Sequence, residues 1–346
     1  MKLSKTVINE LERILATNSN VVGYSATAKR RLRRGKKPET VIRIYVEKLP
    51  KGKISPKLRL PRTIGGLPVD VMALGKLTST ETTGAQQLMN KGTDGHIEKY
   101  RPLKGGISVV HAKGGAGTLG YFLRDNTNPP APKKPQWYIL SCAHVLDVAG
   151  SLEETIQPSP NDEGQYPGDL VGKLTERVVN HQIDAAIAKI DTGAVAAIVD
   201  GDPPKTNKVV TEAMVRDQGI FSSHRSGILV QKSGRTTGCT WGWIIDGNLR
   251  TGEFNNNGRM RSFKDCLLIE TMLPEAPGGY VGEDFALKGD SGSLLVDSLT
   301  DDALGLIFAA YEMSSGVPSR GVACRMEHVL AAFPGRIMVK PGESWP

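Results

Sequence analysis

The chain has 346 residues, 39% hydrophobic and 23% charged, which is the composition of a globular protein with room for two or three compact units. No stretch approaches the roughly 18 consecutive apolar residues of a membrane-spanning helix, so that class is excluded. Glycine (39) and proline (21) are abundant while aromatic residues make up 5%, a balance that favours strands and turns over helices.

The first element is a helix. Val7, Ile8, Leu11, Ile14 and Leu15 fall at helical spacing with Glu10, Glu12 and Arg13 between them. The continuous apolar core of a signal peptide is lacking, and a cytoplasmic protein is expected. A basic run, KRRLRRGKKPE at 29–39, supplies part of the net charge of +8. Such a run can bind nucleic acid or an anionic surface, but no aromatic residues are interleaved with it, and a solvated loop is the simpler reading. Alternation over 41–46 marks a strand, and 69–72 a second short one. Residues 1–76 thus read as a small α+β module and 77–100 as a polar linker. From about residue 101, short β-like runs recur between glycine- and proline-rich turns, which predicts an antiparallel sandwich or a pair of barrels. MEHVLAAF near the end has helical spacing and closes the domain. Cys142, Cys239, Cys266 and Cys324 lie far apart, without CxxC or metal-ligand spacing, and are expected as free, buried thiols. No metal or cofactor is expected.

The chemistry-bearing stretch is KGDSGSLLVD, in which Ser291 follows Gly289 and Asp290. Acyl transfer by a serine needs a base, an acid that orients the base, and donors for the oxyanion. His144, in YILSCAHVLD, follows an apolar strand and a small-residue turn and is the candidate base. Asp184, in NHQIDAAIAKID, opens an otherwise apolar strand, where a buried carboxylate is costly unless paired. Asp147 and Asp191 are the competing acids. Gly-x-Ser-x-Gly is absent, because residue 293 is serine, and this disfavours a nucleophile elbow.

Ser141-Cys142-Ala143-His144, Asp184-Ala-Ala-Ile-Ala and Gly289-Asp-Ser-Gly, in that order, resemble the motifs of chymotrypsin- and trypsin-like serine proteases. SGRTTGCTWGWI at 233–244 resembles the second-barrel opening of bacterial enzymes of the α-lytic type. The resemblance covers about 102–335. It implies a mainly β, chymotrypsin-like double antiparallel β-barrel preceded by the small α+β module. It also implies a serine endopeptidase acting on protein or peptide substrates through His144, Asp184 and Ser291. The oxyanion donors would be the amides of Gly289 and Ser291. Asp290 would need a cation, for which the matching position is Lys232, with Arg235 as the second candidate, so that no zymogen cleavage is required. Phe285, Phe308, Ala309, Ala310 and Gly321 would wall the pocket for a small or medium apolar residue, with Glu283 and Asp284 nearby. This chain departs from the family in Ser293, in Phe308 where a serine commonly supports the acid, in cysteine spacing and in lacking a secretion signal. The alternatives are an inactive protease fold used for binding or as a scaffold, or a protease recruited to nucleic acid or an anionic surface by the basic loop.

Overall fold

A computed structural model describes residues 3–30, 39–49, 59–79, 95–126, 135–147, 153–190, 206–209, 227–256, 258–272, 284–312 and 317–340. Most of the basic run, together with Asp191 and Glu283, lies outside the described residues.

The predicted first helix, α1 (Lys5–Thr17), is capped by Ser4, whose Oγ accepts from the amide of Val7, and it buries Val7, Leu11 and Ile14. It lies over β1 (Val21–Arg30), β2 (Glu39–Val46), β3 (Thr63–Ile64) and β4 (Leu67–Ala73), with Ile42, Ile44 and Val46 in the same cluster. β5 (Lys76–Ser79) follows, so residues 77–79, read from sequence as the start of a linker, are a strand.

The first large sheet contains β6 (Ser108–His111), β7 (Gly117–Thr118), β8 (Tyr121–Asp125), β9 (Trp137–Ser141), β10 (Glu154–Ile156), β11 (Leu170–Val179), β12 (Asp184–Ile190) and the late strand β22 (Arg336–Met338). Its order is β22-β8-β9-β12-β11-β10-β6-β7. A one-turn helix, α2 (Ala143–Leu146), leaves the end of β9.

The second sheet contains β13 (Thr206–Val209), β14 (Leu229–Gly234), β15 (Gly238–Thr251), β18 (Cys266–Thr271), β19 (Leu294–Asp297), β20 (Asp302–Glu312) and β21 (Arg320–Arg325). A small hairpin, β16 (Phe254–Asn256) with β17 (Arg259–Arg261), interrupts it, and α3 (Met326–Ala332) follows it. The order β14-β19-β20-β21-β18-β15 closes on itself, because β14 also pairs with β15. Closure removes the open edges of these six strands. Val230, Ile244, Ile269, Phe285 and Leu295 fill the interior.

β15 is long enough to serve two neighbours on one edge. Its residues 238–243 pair with β14, and Leu249, Arg250 and Thr251 pair with β1. The N-terminal strands therefore extend the second sheet. Buried Asp246 on β15 reinforces the join by accepting from Ser25 Oγ at 3.0 Å and from the Tyr45 hydroxyl. A larger cluster packs the two sheets together, with Leu140 and Ile187 from one and Leu268, Phe308 and Val322 from the other. This is the mainly β, chymotrypsin-like double-barrel architecture that the sequence predicts. Among the described residues no helix is long and apolar enough to cross a membrane.

Candidate active site

β9 is buried along its whole length, and its last residue, Ser141, is followed by two more small ones, Cys142 and Ala143. Small side chains let the following turn approach the second sheet, and α2 then projects His144 into the seam. Asp184 is the first residue of β12, two strand positions from the point where Ala186 pairs with Ser141. Ser291 comes from the turn before β19 in the other sheet. That turn has two glycines in the left-handed region, Gly289 at φ 101° and Gly292 at φ 94°. A Cβ on Gly292 would lie 2.1 Å from Ser141 Oγ and 2.2 Å from the Thr118 carbonyl oxygen, so the close approach of the sheets also requires glycine there.

The structure brings the three sequence-predicted residues into one line. His144 Nε2 is 2.6 Å from Ser291 Oγ, and His144 Nδ1 is 2.6 Å from Asp184 Oδ2. All three are buried. Asp147 pairs with Arg177 instead. Asp184 Oδ1 accepts from the amides of Ala143 (2.9 Å) and His144 (3.3 Å). The fourth donor was not legible in the sequence: Asn256 Nδ2 donates to Asp184 Oδ2 at 2.7 Å. Phe308, noted in the sequence as standing where a serine is common in the family it resembles, packs its ring against Phe263 with centroids 4.6 Å apart. The Asn256 amide, beside Phe254 in the β16–β17 hairpin, supplies the hydrogen bond instead. Burial alone would raise the Asp184 pKa, but the charge of and bond to His144, with Asn256 and the backbone donor, hold it below the ordinary value. The carboxylate therefore stays ionised next to the imidazole.

Asp290 is also fully buried. It accepts from the amides of Thr236 (2.8 Å) and Leu287 (2.9 Å) and from Thr237 Oγ1 (2.8 Å). Lys232 Nζ stands 3.6 Å from Asp290 Oδ2 and donates to Thr237 Oγ1 and to the Gly238 carbonyl. Burial pulls the Lys232 pKa down, against the attraction of Asp290. Arg235, the second candidate, pairs with Asp162 at 2.5 Å instead and ties the two sheets together. Thr118 of the first sheet clamps the nucleophile turn: its amide donates to the Ser291 carbonyl at 2.8 Å and its Oγ1 to the Gly289 carbonyl at 2.8 Å. Ser293 Oγ bonds the Asp290 carbonyl at 2.6 Å, which accounts for a serine in place of the second glycine.

Of the expected pocket residues, Phe285 lies differently from the sequence expectation. Phe285 is fully buried inside the closed ring, and its ring lies against Gly321 and Gly242. Two of the expected walls are thus in contact with each other, because a large ring fills the space between them. Ala309 and Ala310 are buried on β20 and pair with β5. Asp284 accepts from the Ser319 amide at 2.7 Å.

All four cysteines are free, but Cys239 is exposed. The Cys142 thiol, His144 and Asp184 lie within 4.8 Å of one another, a grouping that could in principle hold a metal. Both ring nitrogens of His144 are engaged, however. Burial also pushes the Cys142 thiol well above its usual pKa, which disfavours the thiolate a metal would bind.

No family model and no curated protein matches the chain. Solved structures do. A glutamic acid-specific serine protease is 15% identical over 68% of this chain and 99% of its own, with a TM-score of 0.41. Protease A of Thermobifida fusca is 16% identical over 68% and 97%, with a TM-score of 0.38. The active form of the M. tuberculosis protease Rv3671c is 16% identical over 64% and 82%, with a TM-score of 0.32. At such low identity the fold and the site rest on the strand pairings and distances above.

Proposed function

We propose that the chain is a serine endopeptidase. The observation that carries this reading is the buried Asp184–His144–Ser291 line, 2.6 Å at each step, assembled from both sheets. Ser291 Oγ attacks the scissile carbonyl while His144 Nε2 takes its proton. Asp184 holds the imidazole with Nδ1 protonated and stabilises the imidazolium that forms. The negative charge gathers on the carbonyl oxygen, where the amides of Gly289 and Ser291 serve as donors. Collapse breaks the C–N bond, the Nε2 proton passes to the leaving amine, and an acyl ester remains on Ser291. Water, deprotonated by the same imidazole, then releases the acid and restores the hydroxyl.

Lys232 holds the Asp290 loop from within the chain, so activity needs no zymogen cleavage. The residue before the scissile bond is small or medium and apolar: Asp284, the described acid beside Phe285, is engaged by the Ser319 amide and offers a basic side chain no counter-charge. The test is labelling by an alkyl fluorophosphonate. Wild type is expected to be labelled and Ser291→Ala is not, with the circular dichroism of the two unchanged. Labelling that persists in Ser291→Ala would remove the assignment. A strong preference for Arg or Lys in a peptide library would remove the specificity reading.

A further inference from the structure

β20 has two edges. One is paired with β21 from Gly305 to Tyr311. The other is divided among three partners in order. β19 takes Ala303 to Leu306. The nucleophile turn takes Ile307, through Gly292 N to the Ile307 carbonyl (2.8 Å) and Ile307 N to the Ser293 carbonyl (2.9 Å). β5 takes the rest, antiparallel, with Ser79 opposite Ala309, Thr78 opposite Ala310, Leu77 opposite Tyr311 and Lys76 opposite Glu312. Between the turn and β5 lies Phe308, whose carbonyl oxygen is 3.5 Å from Ser291 Oγ. A strand laid on this edge in the direction of β5 therefore runs, N to C, toward Ser291.

An open strand edge is a template for an extended peptide, because backbone hydrogen bonds bind it whatever its sequence. We infer that β5 is a competitor of substrate built into the chain: it occupies, in cis, the edge of β20 at 309–312 that an extended peptide bound for Ser291 would take. The inference rests on the reading of Ser291 as the nucleophile, since only then is the edge a substrate site. β5 competes with substrate in cis. It is anchored by Leu77, which is buried in the inter-sheet core, and by Thr78 Oγ1, which donates to Glu312 Oε1 at 2.8 Å. The N-terminal unit delivers it: Leu74 is fully buried and its amide bonds the Val46 carbonyl at 2.9 Å. β5 also forms one wall of a cleft of about 940 Å³ that reaches Lys288, the residue before Gly289. A tethered strand acts at an effective concentration on the order of millimolar, so a free peptide of similar intrinsic affinity is largely shut out.

The test uses the full chain carrying Ser291→Ala and a fluorescein-labelled, end-capped peptide of sequence LGKLTS, with binding read by anisotropy. Thr78→Pro removes a backbone donor from β5, and Leu77→Ala removes its anchor without disturbing the backbone. Each, added to Ser291→Ala, is expected to bind the peptide at least about tenfold more tightly than Ser291→Ala alone. Affinities equal within about twofold, or no binding to either opened variant, would overturn the inference. Because the hydroxyl of Ser291 is absent throughout, this readout is independent of the fluorophosphonate result. Failed labelling of wild type takes down the proposed reaction, whereas failed binding takes down the strand site.

Discussion

Asp184, a member of the reactive line, and Asp290, the residue before Ser291, are both fully buried carboxylates, and they are satisfied in opposite ways. Asp184 shares its oxygens among two amides, the Asn256 side chain and an imidazole whose proton can move. Asp290 is fixed by amides, a threonine and the ammonium of Lys232, none of which passes a proton in the reaction. A buried charge whose partner titrates can stabilise a charge that appears during reaction. A buried charge whose partners are permanent can only hold a loop in place. The first arrangement is suited to chemistry and the second to scaffolding.

That contrast breaks most visibly at Asp184 itself. Asp184→Asn is expected to lower kcat/KM for a peptide substrate by about 10⁴-fold through the wrong imidazole tautomer, while thermal stability changes little. Asp290→Asn should cost stability first, and activity through the loop that Asp290 holds. It leaves the Lys232 charge buried without its counter-ion, and a loss of about 3–5 kcal/mol in chemical denaturation is expected. Lys232→Ala should lower activity by more than about tenfold through the oxyanion loop, and unchanged turnover would sever Lys232 from that role. A comparable effect is expected for Asn256→Ala, which removes one hydrogen bond to a charged group worth about 1.5–3 kcal/mol. The resulting fall of about tenfold or more should lie in kcat rather than KM, because Asn256 acts on the acid and not on the substrate.

The smallest effect is on pH dependence. The folded-state pKa of Asp184 lies below its ordinary 3.8, so its contribution to stability is present above that value and is lost as pH falls through the folded value. Urea midpoints taken from about pH 5 down to about pH 2 should therefore fall more steeply for Ser291→Ala than for Ser291→Ala with Asp184→Asn. Parallel curves would contradict the account of how Asp184 is satisfied.

Much of this molecule was legible before its coordinates. The amphipathic helix and the strand-and-turn texture come from local pattern, the roles of His144, Asp184, Ser291, Asp290 and Lys232 from short motifs weighed by a family resemblance, and the structure brings those five side chains to one seam. Periodicity, turn residues and short motifs are properties of neighbouring residues, so one chain suffices to read them. The pocket was less legible, because whether Phe285 lines a cavity or fills it depends on the glycines at 242 and 321 that face its ring. Asn256 was invisible. Its amide reaches a carboxylate 72 residues away, and an asparagine in a polar turn carries no mark of that partner. The same holds for β1 on β15 and for β5 on β20. Sequence by itself determined which side chains could do the chemistry. Only the tertiary structure decided which strand borders them, because strand addition is made by backbone hydrogen bonds, and those leave no signature in side-chain type.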